Sequence, residues 1–367
     1  RRGRLLQSTL VVLQVSLAVV LLIGAGLLTG TLSRLLDRPT GFDGSRVLTT
    51  HLSLPQSRYE SPVKSRAFYD QVIARLQALR GVEAAGGTWA LPFSNDYAST
   101  TYVRPDQPDA AAIAISTAPV RPEYFRSIGM RLVRGREFSS SDDTDAPAVA
   151  VVNETLARLL WPNGNAVGQR LTDPEDRADQ VEIVGIVNDT RRRSLADEVA
   201  PEIYLPHAQA TWDGSLYITV RTTEDPLQYA DAVRAQIRAI DALLPIGRQR
   251  TLDEVVLDSV RTQRFRARIV AAMSAAAALL TLLGIYSLQF VYVNSQRREL
   301  AVRRALGAHP ARLARSIVNA GLKLTAIGLL FGLVTTAALS SALRPLLFGL
   351  SPVDPATYAV PIALFLA

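Results

Sequence analysis

Residues 10–30 read LVVLQVSLAVVLLIGAGLLTG, and the uncharged run around them extends from Leu5 to Ser33, 29 residues in all. About 20 apolar residues carry a helix across a hydrocarbon core ~30 Å thick. A secretory signal peptide has a shorter apolar region, roughly 7–15 residues, followed by a small-residue cleavage site. The stretch therefore predicts a transmembrane span over residues 9–32, and the chain reads as a membrane protein outward from it.

Two more uncharged runs, Ile269–Gln296 and Leu324–Leu343, predict spans over 269–293 and 316–343. The run from Pro355 to Ala367 has only 13 residues, too few to cross. It reads as the start of a fourth span, 355–367, so the natural protein is expected to continue past Ala367. The initial Arg1, where a Met would stand, likewise suggests a piece of a longer chain. The fold class expected is an α-helical bundle of four spans, the last cut short, with a large extracytoplasmic α+β domain between spans 1 and 2.

The chain carries 40 Lys and Arg against 33 Asp and Glu, a net charge of +7. Such a balance fits a nucleic-acid binder or a membrane protein, and its placement decides between them. Residues 34–268 hold 29 basic and 31 acidic side chains. The excess sits in Arg1, Arg2 and Arg4, and in 297–315, where six arginines face Glu299 alone. Both clusters abut apolar runs, which argues against nucleic acid. Positive charge collects on the cytoplasmic side, so residues 1–8 and 294–315 are expected inside, and 33–268 and 344–354 outside. Arg264, Arg266 and Arg268 violate the rule locally and read as a basic helix emerging from the bilayer. Lys323, eight residues past Arg315, lies ~12 Å along span 3 and is expected to snorkel inward. Close packing of the spans is expected at Gly26-x-x-x-Gly30, at Gly328-x-x-x-Gly332 and along Ala275–Ala278, because small residues four apart let helix backbones approach.

In the outer segment, β-branched runs at Val47–Leu54, Ala111–Ala118, Ala148–Val152, Val181–Val187 and Ser215–Arg221 predict strands. Amphipathic stretches at Ser61–Leu79, Asn153–Leu160 and Pro226–Ile240 predict helices, the second capped by Asn153. From Thr251 a helical pattern runs toward span 2 with no Pro or Gly before Gly284, which predicts one unbroken helix. Span 1 is expected to continue to a stop at Pro39–Gly41.

No catalytic constellation stands out. There is no cysteine, and G-x-x-x-x-G-K-[ST], G-x-S-x-G, H-E-x-x-H and G-x-G-x-x-G do not occur. His51, His207 and His309 read as ordinary surface or core residues. Asp142, Asp143 and Asp145 read as a solvated acidic loop in preference to a calcium site, since the glycine and distal glutamate of an EF-hand are missing. Arg191–Arg193 read as a solvated run, and Trp89, Trp161 and Trp212 as core.

Residues 297–309 read RRELAVRRALGAH, directly after span 2. This string resembles the Arg-Glu-(Ile/Leu)-(Ala/Gly)-(Ile/Val)-Arg-x-Ala-Leu-Gly-Ala signature of FtsX-like/MacB-like ABC transporter permeases. VRPEYFRSIGMRLVRGREFSSSD (120–142), VAVVNETLARLLWP (149–162), VEIVGIVNDTR (181–191) and PEIYLP (201–206) are similar to the family's periplasmic core domain, and LFGLSPVDPATY (347–358) to the entry of its last span. The strings look most like stand-alone permeases that duplicate the unit, of which this chain resembles the C-terminal half.

The resemblance implies a non-enzymatic permease subunit in a bacterial inner membrane. Its ATP and Mg would be bound by a partner, a cytoplasmic ABC ATPase dimer. It further implies a second permease half or copy, a periplasmic adaptor and membrane lipids as partners. Arg297, Glu299, Arg303, Ala305, Leu306, Gly307 and Ala308 fall on signature positions and would form the ATPase-coupling segment with Leu300 and Arg304. Arg304 departs from a position that is often apolar. On a helix Leu300, Arg303, Arg304 and Gly307 share one stripe, which His309-Pro310 ends. Mechanotransmission, with efflux or extraction of an amphiphile, is the function implied. An FtsX-type regulator of an envelope hydrolase is the alternative, and a two-span receptor is disfavoured because so few residues separate spans 2 and 3.

Overall fold

The computed structural model describes residues 2–94, 96, 98–107, 113–174, 180–210, 214–298, 302, 309–343 and 355–366. The chain divides into two compact units, one of residues 1–38 and 261–367, the other Pro39–Val260. In chain order the elements are α1 (Arg2–Leu36), β1 (Val47–Ser53), α2 (Pro62–Gln77), β2 (Val82–Thr88), β3 (Ala98–Tyr102) and β4 (Ile113–Val120). There follow α3 (Tyr124–Ile128), β5 (Leu132–Gly135), β6 (Val149–Asn153), α4 (Glu154–Leu160), β7 (Arg170–Thr172), β8 (Gln180–Val187) and β9 (Glu202–Pro206). The series closes with β10 (Ser215–Thr222), α5 (Ala230–Arg238), β11 (Arg250–Thr251), α6 (Leu252–Ser259), α7 (Arg261–Ser295), α8 (Pro310–Leu343) and α9 (Pro355–Leu366).

In the Pro39–Val260 unit, one mixed sheet runs β11-β1-β10-β2-β4-β9-β6-β8-β5, with β3 added to β4 and β7 to β8. Among the described residues, helices build hydrophobic core on it in at least two places. Helices α2 and α5 bury Phe68, Tyr69, Val72, Leu76, Val233 and Ile237 against Leu48, Leu52, Ile218 and Val220 of β1 and β10. The spacing of Phe68, Val72 and Leu76 puts them on one face of α2. Ser61 caps that helix by accepting from Lys64 N, with Pro62 in its first turn, where a missing N–H is harmless. Helix α4 buries Leu156 over Val152, Ile183, Ile203 and Trp161 in the second core, and Asn153 caps it by accepting from Leu156 N.

The two halves of the sheet meet at a single paired position of β2 and β4, Thr88 with Val120. There β2 carries Gly86, where a Cβ would stand 2.6 Å from Tyr124 Cα. The glycine lets α3 lie on the strand backbone.

In the helical unit, α7 and α8 pack along α1 and α9 packs beside it. Among the described residues, three helical segments are long and apolar enough to cross a membrane, Ser8–Leu36, Arg261–Ser295 and Gly321–Leu339. Helix α9 spans 12 residues with Pro361 inside it. The helices run past the apolar runs that mark them, because backbone hydrogen bonding continues into polar sequence. The helix expected to be unbroken from Thr251 is interrupted. Helix α6 opens with a capping box between Thr251 and Glu254 and ends at Val260, whose φ of −102° and ψ of 14° leave the helical region. Val260 is 2% exposed. The break carries no Gly or Pro signal in the sequence.

Candidate functional site: the helical bundle and the coupling segment

Every fourth residue of α1 from Val11 faces the bundle. Val11, Val15, Val19, Ile23 and Leu27 are buried with Leu329 of α8 and Phe365 of α9. Opposite this stripe α8 presents Gly328 and Gly332. A Cβ on Gly328 would stand 2.6 Å from Val15 Cβ and 3.0 Å from Val12 O, and one on Gly332 2.8 Å from Val19 Cβ and 3.0 Å from Ser16 O. A Cβ on Gly26 would stand 2.6 Å from Thr357 Cγ2 of α9, whereas Gly24 has open space. Gly30 is half-buried.

Polar side chains join α7 to α1. Ser274 Oγ donates to Leu21 O at 2.7 Å, and Thr281 Oγ1 lies 3.3 Å from Gln14 O. Each hydroxyl also lies 2.7 Å from the carbonyl four residues back, Val270 O or Ala277 O. Both residues are 1% exposed. Gln14 covers Gly284, whose Cβ would meet Gln14 Oε1 at 2.5 Å. Such hydrogen bonds between helices contribute about 0.6 kcal/mol each in membranes.

Arg297 of the coupling segment is exposed just past α7, as are Arg298 and Val302. Glu299, Leu300, Arg303, Arg304, Ala305, Leu306, Gly307 and Ala308 lie outside the described residues. Lys323 and His309 are exposed.

The α+β unit changes further sequence readings. Arg191–Arg193 do not form a solvated run. The Arg192 side chain is 7% exposed and pairs with Glu202, 2% exposed, while its Nη2 donates to Ala90 O at 2.6 Å. Glu202 Oε2 also accepts from Thr190 Oγ1 at 3.1 Å. Burial works against the Arg192 charge, but Glu202 together with Tyr204 and Tyr124 outweighs it and raises its pKa; burial pushes the neighbouring Tyr204 phenol well up. The reason lies in topology: Glu202 begins β9, which runs parallel to β4, and the loop before it folds the arginine inward. Arg121, also buried, pairs with the exposed Asp70 instead, and its Nη1 lies 3.3 Å from Nδ1 of the buried His207.

The acidic loop is only partly solvated: Asp142 is buried, at 6% exposed, while Asp143 and Asp145 are exposed. Both oxygens of Asp142 accept from Arg136, at 2.7 and 2.8 Å, and Ser139 N donates to it at 2.8 Å. Arg136 holds the Asp142 carboxyl below the usual range. Asp143 accepts from Asp145 N at 3.0 Å. Trp161 lies in the second core and Trp89 packs on the first; Trp212 lies outside the described residues. His51 stacks near Tyr217, ring centroids 4.6 Å apart.

The MacB-like periplasmic core domain family matches residues 8–240, well over half the chain, and the FtsX-like permease C-terminal family matches residues 271–367. The chain belongs to the MacB/FtsX-like ABC transporter permeases. It is thus a membrane protein of that family with a MacB-like periplasmic core domain.

Among curated relatives, this permease is 23% identical over 215 residues to "Macrolide export ATP-binding/permease protein MacB" of Marinobacter nauticus, covering 55% of this chain and 32% of the relative. It is 25% identical over 236 residues to "Pyoverdine export ATP-binding/permease protein PvdT" of Pseudomonas putida, covering 60% of this chain and 34% of the relative. It is 21% identical over 230 residues to "Uncharacterized ABC transporter permease YvrN" of Bacillus subtilis, covering 59% and 55%. The match thus spans about a third of the length of the MacB and PvdT relatives. Among solved structures, the periplasmic region of MacB from Actinobacillus actinomycetemcomitans superposes with a TM-score of 0.40 at 14% identity, covering 60% of this chain and 95% of that one.

Proposed function

We propose that this permease is the membrane subunit of a MacB-like ABC transporter, coupling ATP hydrolysis in a separate cytoplasmic ATPase dimer to movement of its periplasmic domain. The observation that carries the reading is the tiling of the chain by two family matches, a periplasmic core domain followed by an FtsX-like permease domain. Efflux or extraction of an amphiphile is the transport proposed, in keeping with the export names of the MacB and PvdT relatives. A second permease half or copy and a periplasmic adaptor complete the assembly.

In the proposed topology, residues 1–8 and 294–315 lie in the cytoplasm of a bacterial inner-membrane protein. Residues 33–268 and 344–354 lie in the periplasm, and a fourth span begins at 355. The charge asymmetry supports it, with six arginines at 297–315 and a near-neutral 34–268. The cysteine-free sequence allows a clean test. A cysteine at the exposed Ser140 (Ser140→Cys) should react with a membrane-impermeant maleimide in intact spheroplasts, and one at Arg297 (Arg297→Cys) only after lysis. The reverse pattern would exclude this topology.

The coupling role is assigned to Arg297, Glu299, Leu300, Arg303, Arg304, Ala305, Leu306, Gly307 and Ala308. Glu299→Ala combined with Arg303→Ala should abolish stimulation of the co-purified ATPase while the permease keeps its elution volume and melting midpoint. Undiminished stimulation in a folded double variant would sink the coupling assignment.

A further inference from the structure

The first two turns of α7 carry Arg261, Arg264, Phe265, Arg266 and Arg268, on the side of the membrane that the positive-inside rule leaves poor in arginine. Arg261, Arg264 and Arg268 recur at i, i+3 and i+7 and share one stripe, with Phe265 beside them. Arg261, Arg266 and Arg268 are exposed; Phe265 is 63% exposed and Ile269 43%. The first turn holds no acidic residue, so these cations stand where the helix dipole is itself positive. Among the described residues, none of the four arginines has a salt bridge or side-chain hydrogen bond.

Their depth follows from the hydrogen bonds between α7 and α1. Ser274 meets Leu21 and Thr281 meets Gln14, seven residues further along one helix and seven back along the other, so the two helices run antiparallel in step. Continued outward, this register sets Arg268 about level with Leu27–Gly30, inside the apolar stretch of α1, and Arg261 about level with Arg34. The stripe from Arg261 to Arg268 covers ~10 Å of helix axis, comparable to the ~5–8 Å headgroup layer on one side of a bilayer. The only acidic side chain in the outer half of α1 and the two residues after it, Asp37, follows its last helical residue and accepts from Ser33.

We propose that the first two turns of α7 bind the phosphate headgroups of anionic phospholipids in the periplasmic leaflet. Guanidinium groups pair with phosphate oxygens in bidentate fashion, the bound anions offset both the unpaired arginines and the helix dipole, and Phe265 inserts beside the acyl chains. The inference rests on the topology proposed above, so its test must fail separately from that topology.

The probe is Phe265→Cys labelled with bimane, in the full chain reconstituted in phosphatidylcholine nanodiscs. Quenching is compared between brominated phosphatidylglycerol and brominated phosphatidylcholine at equal mole fraction. Phosphatidylglycerol should associate with the label roughly five-fold more strongly. The triple change Arg261→Gln, Arg264→Gln, Arg268→Gln should bring that ratio to about one, with quenching by both lipids retained. The corresponding triple Lys variant, which keeps the charge and serves as a folding control, should hold a ratio between the two. Equal quenching by the two lipids in the parent, or a preference that survives in the Gln variant, overturns the proposal and leaves the topology standing. The latter result would shift the anion preference to other residues. No quenching by either lipid overturns the proposal together with the placement of this end of α7 at the bilayer, while the Ser140→Cys labelling independently reads the sidedness of the outer domain.

Discussion

Arg192→Leu should lower the melting midpoint of the periplasmic domain by roughly 6–20 °C, from a loss of about 3–5 kcal/mol spread over a domain of this size. Removing the guanidinium leaves Glu202, 2% exposed, as an uncompensated buried carboxylate, and Thr190 Oγ1 is the only other side-chain donor to it among the described residues. Glu202→Leu should cost a similar amount, because it strands a cation whose Nε already has no hydrogen-bond partner. The double variant Arg192→Leu/Glu202→Leu should recover most of the loss, since two apolar side chains can replace a buried pair at little net cost. Tryptophan fluorescence reports the transition directly, because Trp89, Trp161 and Trp212 all lie between residues 39 and 260. The exposed pair Arg46–Glu83, at 3.7 Å, is the control: Arg46→Ala should cost no more than about 1 kcal/mol. A single Arg192→Leu variant that melts with the parent would mean that the pair is not held away from water.

Nothing local in the sequence marks that pair. Arg191, Arg192 and Arg193 are identical letters in a polar loop, and only the fold of the loop against the start of β9 separates the buried one from its neighbours. Strand β2 was illegible for a related reason. VEAAGGT is poor in β-formers, and its glycine at Gly86 answers to the approach of Tyr124, a partner 38 positions away in the chain. The break at Val260 likewise has no Gly or Pro beside it to mark it. By contrast, the apolar spans, the caps at Ser61 and Asn153 and the alternating strands β1, β6, β8 and β10 were readable, because each depends on residues within one or two turns or pairs. The coupling signature was readable only as a family resemblance, since an arginine-rich loop beside a span has the same composition whether it touches a motor or simply fixes orientation.

The substitution with the largest expected effect on the helical unit is Gly328→Leu combined with Gly332→Leu. Both glycines face α1 across its most buried stripe, and an added Cβ would press on backbone as well as side chain, 3.0 Å from Val12 O and from Ser16 O. Flexible side chains can yield, but a helix backbone held between α7 and α8 has nowhere to move without separating the helices. Overpacking costs about 1–3 kcal/mol at each site, and in a membrane no hydrophobic driving force between helices makes up the loss, since lipid solvates apolar surface equally well. The double variant should therefore lose its monodisperse elution after mild heating in detergent, at a temperature well below the parent's. It should also lose ATPase stimulation even with Glu299 and Arg303 intact. Gly24→Ala, at a position with open space around it, should elute and stimulate like the parent, and alanine's better helix propensity favours it by up to about 1 kcal/mol. Should the leucine variant match the parent while Gly24→Ala fails, the α1–α8 contact would not be what holds the bundle together. The stripe's regular spacing would then reflect only the width of the helices' apolar faces.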